Sequence, residues 1–233
     1  VACTPVMLSF AAVTAEEAVL FVNPAVLSEE IKRNLANDGV TIRNNENPVG
    51  SGGAIRAYRN SSIVMNGGDI YGNAARDHGG AIQIIGKSAD QDLTTFTMNG
   101  GTIRNNRAGT GKNTAVGGAI AVSDYSKFVM TGGSITDNTT AGTKGGGVSF
   151  SDGNTAMELS NSAVIIRNTA NGVANNLYIG DKSNNKVTVG AMVGEDSVGI
   201  TMANPGTFSD GGASYASCFF SDDSTYTVAA DGD

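Results

Sequence analysis

Residues 98–106 read Met-Asn-Gly-Gly-Thr-Ile-Arg-Asn-Asn, and this stretch decides the fold because close copies of it recur along the chain. The copies keep the glycine pair, the isoleucine and the final asparagine, and they stand at 65–73 and 130–138. A second cassette, Gly-Gly-Ala-Ile, precedes each copy and stands at 52–55, 79–82 and 117–120. Short β-type segments that recur in a fixed order, with a period of roughly 20–50 residues, indicate a solenoid in which each repeat forms one coil.

Equivalent residues of the repeats fall into columns when the copies are aligned. Stacked coils place neighbouring strands about 4.8 Å apart, so side chains of one column contact each other. Asparagines that stack at a turn can hydrogen-bond to one another, and we expect a structural ladder there. The predicted ladder is Asn45, Asn73, Asn106, Asn138 and Asn168. The predicted apolar columns are Ile42, Ile70, Ile103, Ile135 and Ile165; Ile55, Ile82, Ile120 and Val148; and Met65, Met98, Met130 and Leu159.

The repeats predict an all-β fold, a single-stranded parallel β-helix with three short strands per coil. We expect a right-handed coil, because crossovers between parallel strands strongly prefer that hand. Residues 1–39 are predicted to form an N-terminal cap with a short helix that begins after Ser28, a favourable N-cap residue. Residues 40–180 form the repeats, and residues 181–233 form degenerate last coils and a C-terminal cap. The apolar run at 6–13 is too short to span a membrane, and no other stretch is long enough.

Composition and charge restrict the function. A net charge of −7 argues against nucleic acid, because phosphate binding needs a basic surface. The chain has one histidine and two cysteines, without the spacing of a zinc site, so we expect no metal and no cofactor. Cys3 and Cys218 stand near opposite ends of the sequence. A solenoid normally keeps its ends apart, which disfavours a disulfide between them without excluding it.

The combination of Gly-Gly-Ala-Ile with Phe96-Thr97-Met98-Asn99 resembles the repeats of bacterial polymorphic outer-membrane proteins. The Met-x-Gly-Gly-x-Ile-x-x-Asn form is also similar to repeats of large adhesin-like proteins of the bacterial cell surface. The resemblance covers roughly residues 40–180. It implies a parallel β-helix that is displayed outside the cell and adheres to glycans or proteins of a host or cell surface. It carries over no catalytic residue.

An enzyme on the same fold is the alternative, since polysaccharide lyases and hydrolases also use parallel β-helices. Such enzymes need clustered carboxylates and a base on one face. The closest candidate cluster is Arg76-Asp77-His78, but nothing similar occupies the corresponding turns of the next coils, and we interpret it as a solvated turn. The other turn carboxylates look isolated in the sequence; they include Asp90, Asp92, Asp124, Asp152 and Asp181. We therefore predict no catalytic residue.

Two expanded turns, at 86–95 and 107–116, give the best indication of a binding surface. Insertions that preserve the repeat register often collect on one rim of a solenoid. These turns flank an outward row formed by Arg56, Gln83, Ala121 and Ser149. We predict a shallow groove there, with ligand-binding residues Arg56, Gln83, Lys87, Asp90, Lys112 and Tyr125. Neutral drift in exposed loops explains the same insertions.

Overall fold

The computed structural model describes residues 10–13, 18–21, 28–30, 33, 40–43, 46–47, 50–88, 92–111, 113–182 and 185–230, with strand side chains described from residue 55 onward. Four residues of the predictions lie outside this part of the chain: Cys3, Asn45, Asp90 and Lys112.

The N-terminal segment forms a separate three-stranded sheet. Its strands are β1 (Phe10–Val13), β2 (Ala18–Phe21) and β3 (Val40–Arg43). β2 pairs antiparallel with β1 and parallel with β3. Ile42 pairs with Leu20 in this sheet, and its place in the column of Ile70 stays a prediction. Glu29, Glu30 and Arg33 are helical and exposed, at the position of the predicted cap helix.

The rest of the described chain is a parallel β-solenoid of about five coils, as predicted. The strands that carry the methionine column form one sheet: β6 (Ser62–Met65), β10 (Thr94–Met98), β14 (Ser126–Met130), β18 (Thr155–Asn161), β23 (Val187–Met192) and β25 (Ser209–Asp210). The Gly-Gly-Ala-Ile strands and their successors stack as β5 (Ile55–Tyr58), β9 (Ile82–Ile85), β13 (Ile120–Val122), β17 (Val148–Phe150), β22 (Leu177–Ile179), β24 (Val198–Met202) and β26 (Phe219–Ser221). The strands before the asparagines are β7 (Asp69–Tyr71), β11 (Thr102–Arg104), β15 (Ser134–Thr136) and β19 (Val164–Ile166).

Each coil also contains a two-residue strand after the asparagine corner, which the sequence analysis did not predict. These strands are β4 (Glu46–Asn47), β8 (Ala74–Ala75), β12 (Arg107–Ala108), β16 (Thr139–Thr140) and β20 (Thr169–Ala170), followed by the antiparallel β21 (Val173–Ala174). Two residues are too few to show an alternation of apolar and polar side chains.

The register of the stacked strands confirms the other apolar columns. Ile103 pairs with Ile70 and Ile135, and Ile135 pairs with Ile165. The methionine column is also in register, and so is the column of Ile55, Ile82, Ile120 and Val148, which we call the cassette column. Leu177 continues the cassette column above Val148. Their inward side chains form one narrow core, in which the rings of Phe96 and Phe128 stack at 5.5 Å.

Each of the two glycines of the cassette is required for a different physical reason. The first glycine takes a left-handed conformation, for example Gly79 with φ of 64°, which disfavours other residues. The second lies against the coil above it, since a Cβ added to Gly80 would be 2.1 Å from the carbonyl oxygen of Gly118. Only glycine fits both positions without movement of the backbone.

The asparagine ladder is present and fully buried in the stack. Asn106 and Asn138 each accept, through Oδ1, the backbone N–H and the Nδ2 group of the asparagine one coil below, at 2.9–3.0 Å. Asn168 does the same for Asn138. Asn168 then donates to Oδ1 of Asn176, only eight residues further on.

The ladder ends on a carboxylate. The backbone N–H and Nδ2 of Asn176 donate to Asp222 at 2.6 and 2.5 Å, and the Thr201 hydroxyl donates to the same carboxylate at 2.8 Å. Asp222 follows β26, so the C-terminal segment satisfies the last amide of the stack.

Aromatic side chains pack together in the C-terminal cap. Phe208 and Phe219 pack edge to face at 5.3 Å, and a 3₁₀ helix (Ala213–Cys218) precedes β26. A cavity of about 520 Å³ lies beside them, lined also by Met202, Tyr226 and Val228. Cys218 is buried here, and burial raises the pKa of its thiol. No helix in the described part of the chain is long and apolar enough to cross a membrane.

Candidate functional site

The outward row of the Gly-Gly-Ala-Ile strands is buried, although it points away from the core. Arg56, Gln83, Ala121, Ser149 and Tyr178 occupy equivalent positions in successive coils. Arg56 is exposed at the start of the row, but Gln83 is only 4% exposed, Ala121 and Ser149 are each 1% exposed, and Tyr178 is 9% exposed. Because the side chains alternate along each strand, these side chains point away from the core, and their burial requires that other parts of the chain cover them. We call this row, together with the turns at the two ends of its strands, the cassette groove.

One wall of the cassette groove stands where the strands begin. Ser51, His78, Val116 and Lys144 each precede the first glycine of a cassette, and Val116 pairs with Lys144 across the coils. The backbone N–H of Val116 donates to Nδ1 of His78 at 3.2 Å. The expanded turn also packs on Arg76, because a Cβ at Gly111 would lie 3.1 Å from that side chain.

The other wall is acidic and stands where the strands end. Asp124, Asp152 and Asp181 each follow the cassette column residue of their coil by four positions, and the strand registers place them one above another. The hydrogen bond from Gly180 N–H to the Phe150 carbonyl continues that register into the turn. The structure thus brings together carboxylates that look isolated in the sequence.

Asp152 has a perturbed pKa. Burial raises its pKa above the usual range, and the neighbouring charge of Asp124 raises it further. A hydrogen bond to the Ser123 side chain and the nearby His78 and Lys144 act in the opposite direction without cancelling the effect. The residues of both walls are therefore close enough to act on the same carboxyl group.

The floor contains an unsatisfied acceptor. Oε1 of Gln83 is buried and has no hydrogen-bond partner in the described part of the chain. A buried amide oxygen without a partner costs about 1–3 kcal/mol, so a water molecule or a ligand donor is expected to complete its bonding. Next along the floor, the hydroxyl oxygens of Ser149 and Ser151 lie 3.2 Å apart.

Tyr178 supplies the aromatic surface at the far end of the groove. The Lys144 ammonium lies 5.5 Å from the centre of its ring, a cation–π geometry. Burial raises the pKa of the Tyr178 hydroxyl, and the charge of Asp181 adds to this effect. The lysine and the aspartate thus flank the ring from the two walls.

The structure groups some of the predicted site residues and separates others. Gln83 is on the floor, deeper than the shallow groove predicted. Tyr125 is half-buried beside Asp124, and a Cβ at Gly86 would lie 2.5 Å from its side chain. Lys87 is exposed on the same rim. Arg56 lies at the N-terminal end, 5.9 Å from the Tyr58 ring centre.

The acidic wall was not predicted, although the sequence contains a signal for it. An aspartate stands four residues after Ile120, Val148 and Leu177, which is a column like the apolar ones. The interpretation of Arg76-Asp77-His78 as a solvated turn needs correction, because Asp77 and His78 are half-buried and His78 bonds the next coil. Within the described residues, no group of three or more histidine, cysteine or acidic side chains is arranged to hold a metal ion.

Comparison with known proteins gives one partial match. Residues 1–75 match the family model described as Creatinase/Prolidase N-terminal domain, which covers 75 of the 233 residues. The match ends at the last residue of β8, inside the first stacked coils and before most of the cassette groove. No curated protein and no solved structure matches the chain.

Proposed function

We propose that this protein is a non-catalytic, adhesin-like β-helix of the bacterial cell surface or the extracellular space, and that it binds glycans in the cassette groove. The repeats that resemble surface adhesins support the location. The unpartnered, buried Oε1 of Gln83 at the bottom of a polar groove is the observation that carries the binding function.

The groove has the chemistry that a carbohydrate needs. Sugar-binding sites combine hydrogen-bonding groups with an aromatic surface, and here serine hydroxyls, an amide and carboxylates line the floor and one wall beside Tyr178. The stacked coils repeat these groups along the rod, so a polymer that lies parallel to the rod axis meets similar contacts in each coil.

A glycan panel tests the proposal directly. The panel carries neutral, amino-sugar and uronate oligosaccharides, and bound glycans are then measured in solution by calorimetry. Gln83→Leu keeps the size of the side chain and removes the acceptor, and we expect an affinity loss of about tenfold. Thr97→Leu is the matched control, because Thr97 points outward on the methionine sheet. Retention of no glycan, or equal loss in both variants, contradicts the proposal.

A second candidate function is glycoside hydrolysis, favoured by the raised pKa of Asp152 beside Asp124. A general acid needs such a raised pKa, and a second carboxylate is its usual partner. Adjacent coils separate their backbones by about 4.8 Å, near the carboxyl spacing of about 5–5.5 Å in retaining hydrolases.

Release of reducing sugar from the same panel separates the two candidates. A hydrolase loses this release in Asp152→Asn and keeps it in Asp137→Asn, a variant at a corner outside the groove. If the wild-type protein binds a glycan and releases no sugar from it, the hydrolase is excluded and the binding function stands.

A further inference from the structure

We infer that the cassette groove selects glycans with free amino groups, so that the ligand class is an amino-sugar polymer rather than a polyuronate. This inference rests on the proposed glycan-binding function and specifies its ligand. It follows from which polar groups of the groove are left without partners.

The uncommitted groups of the floor and the acidic wall are acceptors. Oε1 of Gln83 is one, and it is both buried and unpartnered. In the described part of the chain, Asp124 and Asp181 form no ion pair and no side-chain hydrogen bond, in contrast to aspartates elsewhere on the rod. A site that offers acceptors is complementary to a ligand that offers donors, and an ammonium group offers three.

Some of the basic side chains in the groove already have interaction partners within the protein. Lys144 lies over the Tyr178 ring, and Nδ1 of His78 already accepts the backbone N–H of Val116. Of the other basic residues, Arg56 and Arg59 belong to the first coil, and Lys87 lies on the rim one coil below Tyr125, beside the first aspartate of the column. The later coils are therefore where an amine is expected to bind.

The same arrangement works against acidic polymers. A polyuronate along the groove would place its carboxylates beside those of Asp124, Asp152 and Asp181. Repulsion between like charges at close range would strongly weaken its binding. An amino-sugar polymer would instead meet one carboxylate per coil. Acetylation of its amines removes the charge and adds bulk, which should weaken binding.

Calorimetry with three oligosaccharides of equal length tests the inference on the full chain. The probes are glucosamine, N-acetylglucosamine and galacturonate oligomers. We expect the glucosamine oligomer to bind at least about tenfold more tightly than its acetylated form, and the galacturonate oligomer not to bind measurably. The double variant Asp124→Asn with Asp152→Asn should lose this preference, whereas Asp137→Asn should keep it.

The outcomes separate this inference from the function on which it rests. If the acetylated or the acidic oligomer binds as well as the glucosamine oligomer, amine selection is wrong and glycan binding stands. If the double variant folds and keeps the preference, the aspartate column is not its source and the inference is overturned. Equal binding of spermidine would show amine recognition without a sugar and overturn the ligand class. Binding of no oligosaccharide contradicts the proposed function itself.

Discussion

Truncation of one buried ladder residue, Asn138→Ala, should destabilise the solenoid strongly. Through Oδ1 this side chain accepts the backbone N–H and the Nδ2 group of Asn106, both at 2.9 Å. Its own Nδ2 donates at 2.9 Å to the carbonyls of Ile103 and Thr136 and to Oδ1 of Asn168. Alanine leaves the Asn106 N–H and two carbonyls short of a partner in a corner that excludes water.

The magnitude follows from these orphaned groups. One buried N–H without a partner costs about 1–3 kcal/mol, and partial loss at the carbonyls raises the expected total to about 3–5 kcal/mol. Urea unfolding followed by circular dichroism measures this difference as a lower midpoint.

A matched control exists in a second, exposed ladder on the same rod. Asn99 donates to Oδ1 of Asn66 at 2.8 Å and accepts the Thr131 hydroxyl at 2.9 Å, but water reaches these groups. Asn99→Ala should therefore cost no more than about 1 kcal/mol. Equal destabilisation by the two variants would refute the argument that burial of the ladder, rather than stacking alone, holds the corner.

Three further predictions concern the corners, the groove and the cap. Gly118→Ala should destabilise by more than about 3 kcal/mol in urea unfolding, since its Cβ would be 2.1 Å from a carbonyl oxygen, whereas Gly153→Ala meets no atom within 4 Å and should be near neutral. Because the folded pKa of Asp152 is raised, its stabilisation is complete below the ordinary aspartate pKa of about 3.9 and is lost as pH rises through the folded pKa. Asp152→Asn should therefore raise the Tm at about pH 7 and not at about pH 3, and a gain at both would contradict the assignment. Asp222→Ala should speed hydrogen exchange in the last coils, because the final ladder amide loses its acceptor, and unchanged exchange there would exclude this capping role.

The sequence predicts the parts of the fold that repeat. The columns above Ile70, Met65 and Ile55 were readable because the same residue types recur at nearly constant spacing. Asn176 was not readable as a ladder member, since it stacks on Asn168 after a step of only eight residues. There β24 pairs with both β19 and β22, so the last coil is shorter than those before it.

The site was harder to predict than the fold. The outward direction of Gln83 follows from strand alternation, but its burial depends on turns whose paths no repeat pattern encodes. The column of Asp124, Asp152 and Asp181 follows from the register alone, and it becomes visible once residues are counted from the cassette column. Lys144 and Tyr178 could not be paired from the sequence, because their contact crosses coils of unequal length.

Chemical-shift mapping by NMR, with a glucosamine oligomer titrated into the labelled full chain, tests the central claim most directly. We expect shifts that concentrate on the Gln83 side-chain amide and on the backbone of Ala121, Asp124, Ser149 and Asp152. Shifts confined to the C-terminal cavity around Phe208, or spread evenly over the rod, would contradict the assignment of the cassette groove as the functional site.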